Sequence, residues 1–137
     1  MHSEYLLQVD ENDQIIGELS KFDAHRIDPE SGKAPLHRDF SVFMWNETGD
    51  RLLIQQRSAN KITFPLKWAN TCCSHPLANF AGEEDGDRGA GIAAIRKLEH
   101  ELGIPPNLMK QYHFQYYGRV IYHANQDEQW GEHEGNI

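Results

Sequence analysis

The segment Gly89–Ile104, GAGIAAIRKLEHELGI, decides the fold, because it carries the clearest helical pattern in the chain. Four apolar residues recur at three- and four-residue spacing, which places them on one face of a helix: Ile92, Ile95, Leu98 and Leu102. Gly103, followed by two prolines, supplies a stop signal. We therefore predict a helix over residues 89–102.

Runs of β-forming residues lie on both sides of this helix. Residues 5–9 and 14–17 predict one hairpin, and residues 40–45 and 51–56 predict a second hairpin around the turn at 46–50. Strands, one helix and then more strand indicate an α+β domain with a mixed or antiparallel sheet. Residues 26–36 and 57–88 are predicted to be irregular. Two further strands are predicted, one over residues 114–122 and one beginning near Gly131.

Length, charge and cysteine content narrow the class of protein. The 137 residues predict a single domain, and the formal net charge of −8 argues against nucleic-acid binding. No apolar run approaches the roughly 20 residues of a membrane span, and the N-terminus lacks the features of a secretory signal. The two cysteines are adjacent, which does not suit a structural disulfide. We expect a soluble protein in a reducing, intracellular environment.

Two glutamates near the end of the chain form the first candidate site. Residues two apart in a strand point the same way, so Glu132 and Glu134 would share a face about 7 Å apart. Like charges at that distance favour either protonation of one group or a shared cation. The alternative is a solvated acidic terminus.

Histidine and cysteine residues form the second candidate site. His25, His37 and His75 have the side chain that first-row divalent metals prefer, although each of them could equally be a surface residue. Cys73 lies two residues before His75, so it could be a metal ligand, an activated thiolate or a small buried apolar residue. Scattered basic residues could bind a phosphate group or serve only solubility: Lys21, Arg57, Lys61, Arg96 and Lys97.

The helix resembles the Nudix signature R-E-U-x-E-E-x-G-U in an incomplete form. Arg96, Glu101 and Gly103 are kept, while Lys97 and His100 stand where acids are expected. Arg88 stands at the position of a further glutamate. The remaining Glu101 suffices to share one Mg²⁺ with a diphosphate.

Five strings of sequence resemble the eukaryotic type I isopentenyl-diphosphate isomerases: Leu36–Phe43 (LHRDFSVF), Leu53–Ser58 (LIQQRS), Lys61–Pro65 (KITFP), Asn70–Leu77 (NTCCSHPL) and Trp130–Glu134 (WGEHE). The resemblance implies a Nudix-like mixed sheet with a helix packed on it, in a single domain spanning residues 1–137. It also implies that this domain lacks the C-terminal strands and helices of the family. A fragment, splice product or gene-model error is the expected explanation, and we expect the strand after Glu134 to be too short to pair well.

The resemblance also implies a set of site residues. Cys73 matches the catalytic cysteine, Glu134 matches its partner acid or base, and Tyr122 matches a tyrosine that hydrogen-bonds near that glutamate. The implied ligands of a first metal, Zn²⁺, Mn²⁺ or Mg²⁺, are His25, His37, His75, Glu132 and Glu134. Glu101 matches a ligand of a second ion, Mg²⁺, that arrives with the diphosphate. The implied diphosphate contacts are Lys21, Arg57, Lys61 and Lys97.

The implied activity is reversible conversion of isopentenyl diphosphate to dimethylallyl diphosphate by protonation and deprotonation, in isoprenoid and sterol biosynthesis. In the preferred assignment Glu134 delivers the proton and Cys73 removes one, and the reverse stays open. Two alternatives remain at this point: a non-catalytic remnant that binds metal or diphosphate, and a Nudix pyrophosphohydrolase. The expected protein is a cytoplasmic monomer without nucleic-acid or membrane partners, and a full-length form could be peroxisomal.

Overall fold

A mixed β-sheet forms the centre of the protein. The computed structural model describes residues 4–110 and 113–137. The strands are β1 (Tyr5–Val9), β2 (Ile15–Ser20), β3 (His37–Val42), β4 (Gln55–Gln56), β5 (Trp68–Ala69), β6 (Cys72–Ser74), β7 (Val120–Asn125) and β8 (Gly131–Asn136). The main sheet has the order β2-β1-β3-β8-β7, with β6 paired to β3 and only β3 and β8 parallel. The predicted α+β fold with a mixed sheet is confirmed.

Helix α2 (Gly86–Leu102) packs on one face of this sheet, and the short helix α1 (Lys21–His25) follows β2. The predicted helix at 89–102 is therefore confirmed, with a start three residues earlier. Gly103 ends it in the left-handed conformation (φ 68°) and donates to the carbonyl groups of Glu99 and Leu98. A 3₁₀ turn follows at Pro106–Leu108.

The core lies between α2 and the strands β3 and β6. Phe40, Val42 and Cys72 contact alanines of α2 and the fully buried Leu98. The helix approaches the strands closely because its contact residues are small. Gly89 lies against the turn that precedes the helix, where a Cβ would lie 2.3 Å from the carbonyl oxygen of Glu83. Removing the Leu98 side chain beyond Cβ would cost about 2–5 kcal/mol of stability.

The last strand corrects a prediction, because β8 pairs well along both of its edges. Glu134 lies opposite His37 of β3 on one side and opposite Tyr122 of β7 on the other. The amide of Ile137 donates to the carbonyl of Asp39, which extends the pairing to the end of the chain. The expectation that this strand is too short to pair was wrong, since two partner strands satisfy its backbone from both sides.

The second predicted hairpin is only partly correct. The turn at 46–50 forms, and Trp45 bridges Leu52, but Arg51–Gln56 is not a continuous strand. The hydroxyl of Thr71 accepts from the Met44 amide and donates to the Leu53 carbonyl, so a side chain takes the place of regular ladder bonds. The pair β4–β5 forms a separate two-stranded sheet.

The structure differs from two further predictions about where strands lie. The strand predicted at 114–122 lies at Val120–Asn125, where it pairs residue by residue with Gly131–Asn136. The stretch 57–88, predicted to be irregular, contains β5 and β6 and the first residues of α2. Within residues 4–110 and 113–137, no helix is long and apolar enough to cross a membrane.

Candidate functional site

Three imidazoles and one carboxylate converge on a single point of the sheet surface. His25 ends α1, His37 begins β3, His75 directly follows β6, and Glu134 lies in β8. One potential ligand atom from each residue lies within 4.8 Å of the other three. The ring centroids of the histidines are 5.0, 5.1 and 5.2 Å apart, so the imidazoles surround the carboxylate evenly.

Backbone carbonyls fix the tautomers of two of these histidines. The Nδ1 atoms of His25 and His37 lie 2.7 and 2.9 Å from the carbonyl oxygens of Lys21 and Pro35. A carbonyl oxygen only accepts, so Nδ1 carries the hydrogen and Nε2 carries a lone pair. This arrangement aims the Nε2 lone pairs away from the backbone and into the cluster.

Of the three inward-facing contacts, one is a hydrogen bond, between Nε2 of His75 and Oε1 of Glu134. Oε1 of Glu134 is 3.9 Å from Nε2 of His25, 3.4 Å from Nε2 of His37 and 3.0 Å from Nε2 of His75. Nε2 of His37 is buried and makes no hydrogen bond of good geometry within the described residues. The Nε2 lone pairs of His25 and His37 converge on the same carboxylate oxygen, and a group of three imidazole nitrogens with one carboxylate oxygen suits a divalent first-row metal. The residues therefore fit a metal ion.

The protonation states also suit metal binding. Burial lowers the pKa of His25, and burial lowers the pKa of His75 to about 3. Burial alone would raise the pKa of Glu134, but the nearby imidazoles of His37 and His75 hold it well below its usual range. Near pH 7 His25 and His75 are neutral and the carboxylate is charged, which is the form that binds a metal.

Glu132, the fifth predicted ligand, lies beside this cluster rather than in it. It accepts a hydrogen bond from the Thr63 hydroxyl at 2.7 Å, and the Tyr122 hydroxyl lies 3.4 Å from its other oxygen. Tyr122 contacts both Glu132 and Glu134, so the two glutamates share a face as their spacing predicts. Of the five predicted ligands, the structure brings four together in the group whose atoms converge.

The two adjacent cysteines face different surroundings. Cys72 is fully buried in the core, and burial raises its thiol pKa to about 12. Cys73 points to the face of the sheet that carries the metal-ligand cluster, where its Sγ donates to Oδ2 of Asp39 at 3.2 Å. Burial raises the pKa of the Cys73 thiol well above its ordinary value, and the neighbouring carboxyl groups of Asp39 and Glu134 raise it further.

Asp39 is a site residue that sequence reasoning missed. It is fully buried, and its carboxyl group accepts hydrogen bonds from the Cys73 thiol and from Nδ2 of Asn136. Burial and then the charge of Glu134 raise the pKa of Asp39 well above its ordinary value, so Asp39 holds a proton while Glu134 stays charged. Its position in the sequence is a usable signal, since it lies two residues from His37 in a strand and therefore shares its face.

Tyr122 contacts the second oxygen of Glu134. Its hydroxyl donates to Oε2, and burial raises the pKa of the phenol, so that it remains protonated. A cleft of about 1600 Å³ opens beside these groups, and its lining includes Cys73, Tyr122 and Glu132. Aromatic side chains form another part of the wall: Phe43, Trp45 and Phe64.

The four predicted diphosphate contacts lie close enough to one another to interact electrostatically. Burial lowers the pKa of Lys61, Glu101 opposes that shift, and three cations add to it: Lys21, Lys97 and Arg57. Nζ of Lys97 and Nζ of Lys61 lie 3.6 and 4.0 Å from Oε1 of Glu101. The guanidinium of Arg57 donates to the carbonyl of Thr63 at 2.8 Å. The result is a locally cationic surface, with Glu101 inside it and Glu4 paired to Lys21 at 3.1 Å, on a chain whose net charge is negative.

Comparison with known proteins identifies relatives of the chain. The sequence profile of the NUDIX domain matches residues 35–135. Isopentenyl-diphosphate Delta-isomerase I of Camptotheca acuminata is 45% identical over 135 residues, covering 98% of this chain and 57% of the relative. The chloroplastic Isopentenyl-diphosphate Delta-isomerase 1 of Cannabis sativa is 46% identical, with 98% and 47% covered. Isopentenyl-diphosphate Delta-isomerase 1 of Bos taurus is 46% identical, with 96% and 58% covered. The chain spans about half the length of these curated relatives.

Proposed function

The chain belongs to the NUDIX domain family, and we propose that it is an isomerase interconverting isopentenyl diphosphate and dimethylallyl diphosphate. The observation that carries the proposal is that Cys73, hydrogen-bonded to Asp39 of β3, and Glu134 lie on strands paired to β3, beside the three-histidine cluster. A thiol and a carboxylate near one cleft are two groups able to exchange protons with adjacent carbon atoms. The names of the relatives supply one substrate, isopentenyl diphosphate, and the class of reaction, a Delta-isomerisation.

The proposed reaction moves a double bond without net gain or loss of a proton. One group protonates the terminal alkene carbon, which leaves a tertiary cation on the internal carbon. The other group then takes a proton from the carbon on the far side of that cation. Because the reaction is reversible, Cys73 and Glu134 each give a proton in one direction and take one in the other. Tyr122, hydrogen-bonded to Oε2 of Glu134, orients the carboxylate and shares its proton.

A metal ion held by His25, His37, His75 and Glu134 would supply fixed positive charge that orients the carboxylate and lowers its pKa. The imidazole-rich donor set favours Zn²⁺ over Mg²⁺, with Mn²⁺ as a third candidate. Glu132 would join this ligand set only by giving up its hydrogen bond from Thr63. The proposed role of the chain's own residues is to hold Glu134 with one oxygen toward the histidines and the other toward Tyr122.

The cationic surface around Glu101 is the proposed diphosphate site. Lys21, Arg57, Lys61 and Lys97 provide four positive charges, and a second ion, Mg²⁺, would bind Glu101 together with the diphosphate. Arg57 connects this surface to the proton-transfer groups, since Thr63 accepts from Arg57 and donates to Glu132. The aromatic wall of the cleft would exclude water, which would otherwise trap the cation as an alcohol.

Two alternative functions remain to be tested against this one. A Nudix pyrophosphohydrolase would need a cluster of carboxylates on α2, where Lys97, His100 and Arg88 now stand. A remnant that binds metal or diphosphate without turnover would use the same ligands. We further propose a single-domain monomer in the cytoplasm acting in isoprenoid and sterol biosynthesis, although one of the compared relatives is named chloroplastic.

The test is to incubate the purified chain with isopentenyl diphosphate, Mg²⁺ and Zn²⁺ and to measure dimethylallyl product. The proposal expects this product. In a separate assay with nucleoside diphosphate derivatives, it expects no release of inorganic phosphate. Phosphate release would favour the pyrophosphohydrolase. Metal binding without either product would favour the remnant.

A further inference from the structure

Gln55 connects two parts of the proposed site that belong to different elements. It lies in β4, and its Nε2 atom donates to the carbonyl oxygen of Thr71 at 2.9 Å and to Oε2 of Glu101 at 3.0 Å. Thr71 directly precedes β6, which carries Cys73, while Glu101 lies in the last turn of α2. The Gln55 side chain therefore joins the cysteine segment to the acidic residue of the proposed diphosphate site.

The orientation of the Gln55 amide follows from its two partners. A carbonyl oxygen and a carboxylate oxygen accept hydrogen bonds, so both face the NH₂ end of the amide and use its two hydrogens. Thr71 is itself held in place, because it is fully buried and its hydroxyl bridges the Met44 amide and the Leu53 carbonyl. Gln55 therefore extends from a fixed point of the backbone to Glu101.

The two oxygens of Glu101 have different partners. Oε2 accepts from the Gln55 amide and, at 3.6 Å, from the thiol of Cys72. Oε1 faces the ammonium groups of Lys97 and Lys61, at 3.6 and 4.0 Å. Neither ammonium group is within hydrogen-bond distance, so neither fixes the direction of Oε1. The arrangement fits Mg²⁺, a hard cation that takes a carboxylate oxygen together with phosphate oxygens.

We propose that Gln55 is a positioning residue of the diphosphate site, which holds Glu101 by Oε2 so that Oε1 is presented to Mg²⁺ and a diphosphate. The inference rests on the proposed function for the identity of this ligand. Partners behind a metal ligand commonly change affinity by about 10- to 100-fold when they are removed. Without the amide, the carboxylate would turn toward Lys61 and Lys97, which would then compete with Mg²⁺ for it.

The neighbouring Gln56 provides a matched control. It has the same side chain one position further along β4, and it is exposed. Its Nε2 donates to the carbonyl of Leu66 at 3.0 Å and not to Glu101. Methionine has a similar length to glutamine and no donor. Gln55→Met and Gln56→Met therefore differ in whether the donor to Glu101 is lost.

The first arm of the test measures binding without turnover. Inorganic pyrophosphate is titrated by calorimetry into each protein in excess Mg²⁺. We expect Gln55→Met to bind it about 10-fold or more weakly than wild type, and Gln56→Met to stay within about 3-fold of wild type. The Zn²⁺ affinity of the metal-stripped proteins should stay within about 3-fold in both variants, because neither hydrogen bond of Gln55 reaches the histidine cluster.

A double-mutant cycle distinguishes positioning of Glu101 from a general loss of structure. In a Glu101→Ala background the acceptor is absent, so adding Gln55→Met should weaken pyrophosphate binding by less than about 2-fold more. An equal loss in both backgrounds would show that Gln55 acts independently of Glu101 and would overturn the proposal. If Gln55→Met does not fold by circular dichroism, Gln55→Ala takes its place, since it removes the amide and adds no new group beside Thr71.

The second arm measures turnover with isopentenyl diphosphate. We expect Gln55→Met to raise KM about 10-fold while kcat stays within about 3-fold of wild type, because the Gln55 amide bonds to neither Cys73 nor Glu134. Absence of product from wild type, together with pyrophosphate binding that depends on Gln55, would defeat the proposed activity and leave this inference standing.

Three other results would overturn the role given to Gln55. One is a Gln55→Met protein that binds pyrophosphate as tightly as wild type. Another is a loss of Zn²⁺ affinity that parallels the loss of pyrophosphate affinity, which would show damage beyond Glu101. The third is a wild-type protein that does not bind pyrophosphate in Mg²⁺. That result would remove the diphosphate site, and this inference with it, whatever product the turnover assay gives.

Discussion

Tyr122 and Glu134 lie directly opposite each other in the antiparallel pair β7–β8, and the tyrosine hydroxyl donates to Oε2 of the glutamate. The other oxygen, Oε1, faces the three histidines. The sheet register therefore gives the two oxygens of one carboxylate separate partners. One side of Glu134 suits a metal, and the other suits proton transfer.

This separation predicts a selective effect of Tyr122→Phe. The substitution removes the donor to Oε2 without touching Oε1, so kcat should fall by about 10- to 100-fold. Zn²⁺ affinity should change by less than about 3-fold. The matched control is Tyr5→Phe, because Tyr5 is 42% exposed, does not line the cleft and should leave both quantities unchanged. A Tyr122→Phe protein with wild-type kcat would show that the hydroxyl has no part in the reaction.

Removing one inward-facing imidazole should abolish tight metal binding. In His37→Ala the buried Nε2 is lost from a group of four ligand atoms, and we expect Zn²⁺ affinity to fall at least about 100-fold. His123→Ala is the control, because that histidine is exposed and bonds to Asn125 away from the cluster. Calorimetric titration of metal-stripped protein measures both. Equal affinities for the two variants would place the metal elsewhere.

Part of this site could be predicted from the sequence, and the reason lies in what sequence patterns encode. The alternation of a strand places Glu132 and Glu134 on one face, and the stop signal at Gly103 ends α2 where expected. Alternation does not reveal which hydrogen bonds each carboxylate makes. Glu132 accepts a hydrogen bond from Thr63, which lies 69 residues earlier in the chain, and no local sequence pattern links the two residues.

Asp39 and the second hairpin show the same limit. The face of Asp39 follows from its spacing to His37, but its contact with Cys73 depends on the pairing of β3 with β6. The run 51–56 is rich in residues that suit a strand, yet the Thr71 hydroxyl takes the place of the ladder bond between the Met44 amide and the Leu53 carbonyl. Such long-range competition for backbone partners is decided by the tertiary fold.

The metal-free protein should lose stability in acid partly through His75. Its pKa in the folded protein is about 3, against an ordinary value of 6.5, so between these values the unfolded chain binds more protons. The free energy of unfolding should therefore fall as pH drops from 7 to 5, by at most about 1.4 kcal/mol per pH unit from this group. Glu134, whose pKa is lowered, adds to that loss only at more acidic pH, while Asp39, whose pKa is raised, opposes it.

His75→Gln isolates this contribution. Urea unfolding of metal-stripped protein at pH 7, 6 and 5 should give a flatter dependence on pH for His75→Gln than for wild type. His123→Gln should keep the wild-type slope. If all three proteins show the same slope, His75 does not stay neutral in the folded state.

Substrate binding should depend on the cationic surface around Glu101. Lys97 is nearly buried, with Nζ 3.6 Å from Oε1 of Glu101, so Lys97→Gln removes a charge that water cannot replace. We expect KM for isopentenyl diphosphate to rise about 10-fold or more, and less so at high salt. Lys33→Gln, an exposed lysine outside this surface, is the control and should leave KM unchanged. A KM for Lys97→Gln that matches the Lys33→Gln value would remove Lys97 from the diphosphate site.

The adjacent cysteines provide the most direct measurement of the central claim. Wild type, Cys73→Ala and Cys72→Ala are incubated with isopentenyl diphosphate, Mg²⁺ and Zn²⁺, and dimethylallyl diphosphate is quantified over time. Cys72 lies in the core with its thiol 3.6 Å from Oε2 of Glu101, so its replacement should affect stability and diphosphate binding but not proton transfer, while Cys73 bonds to Asp39 beside the cleft. The account predicts turnover by wild type and Cys72→Ala and a loss of at least about 1000-fold in Cys73→Ala. Turnover by Cys73→Ala at the wild-type rate would contradict it.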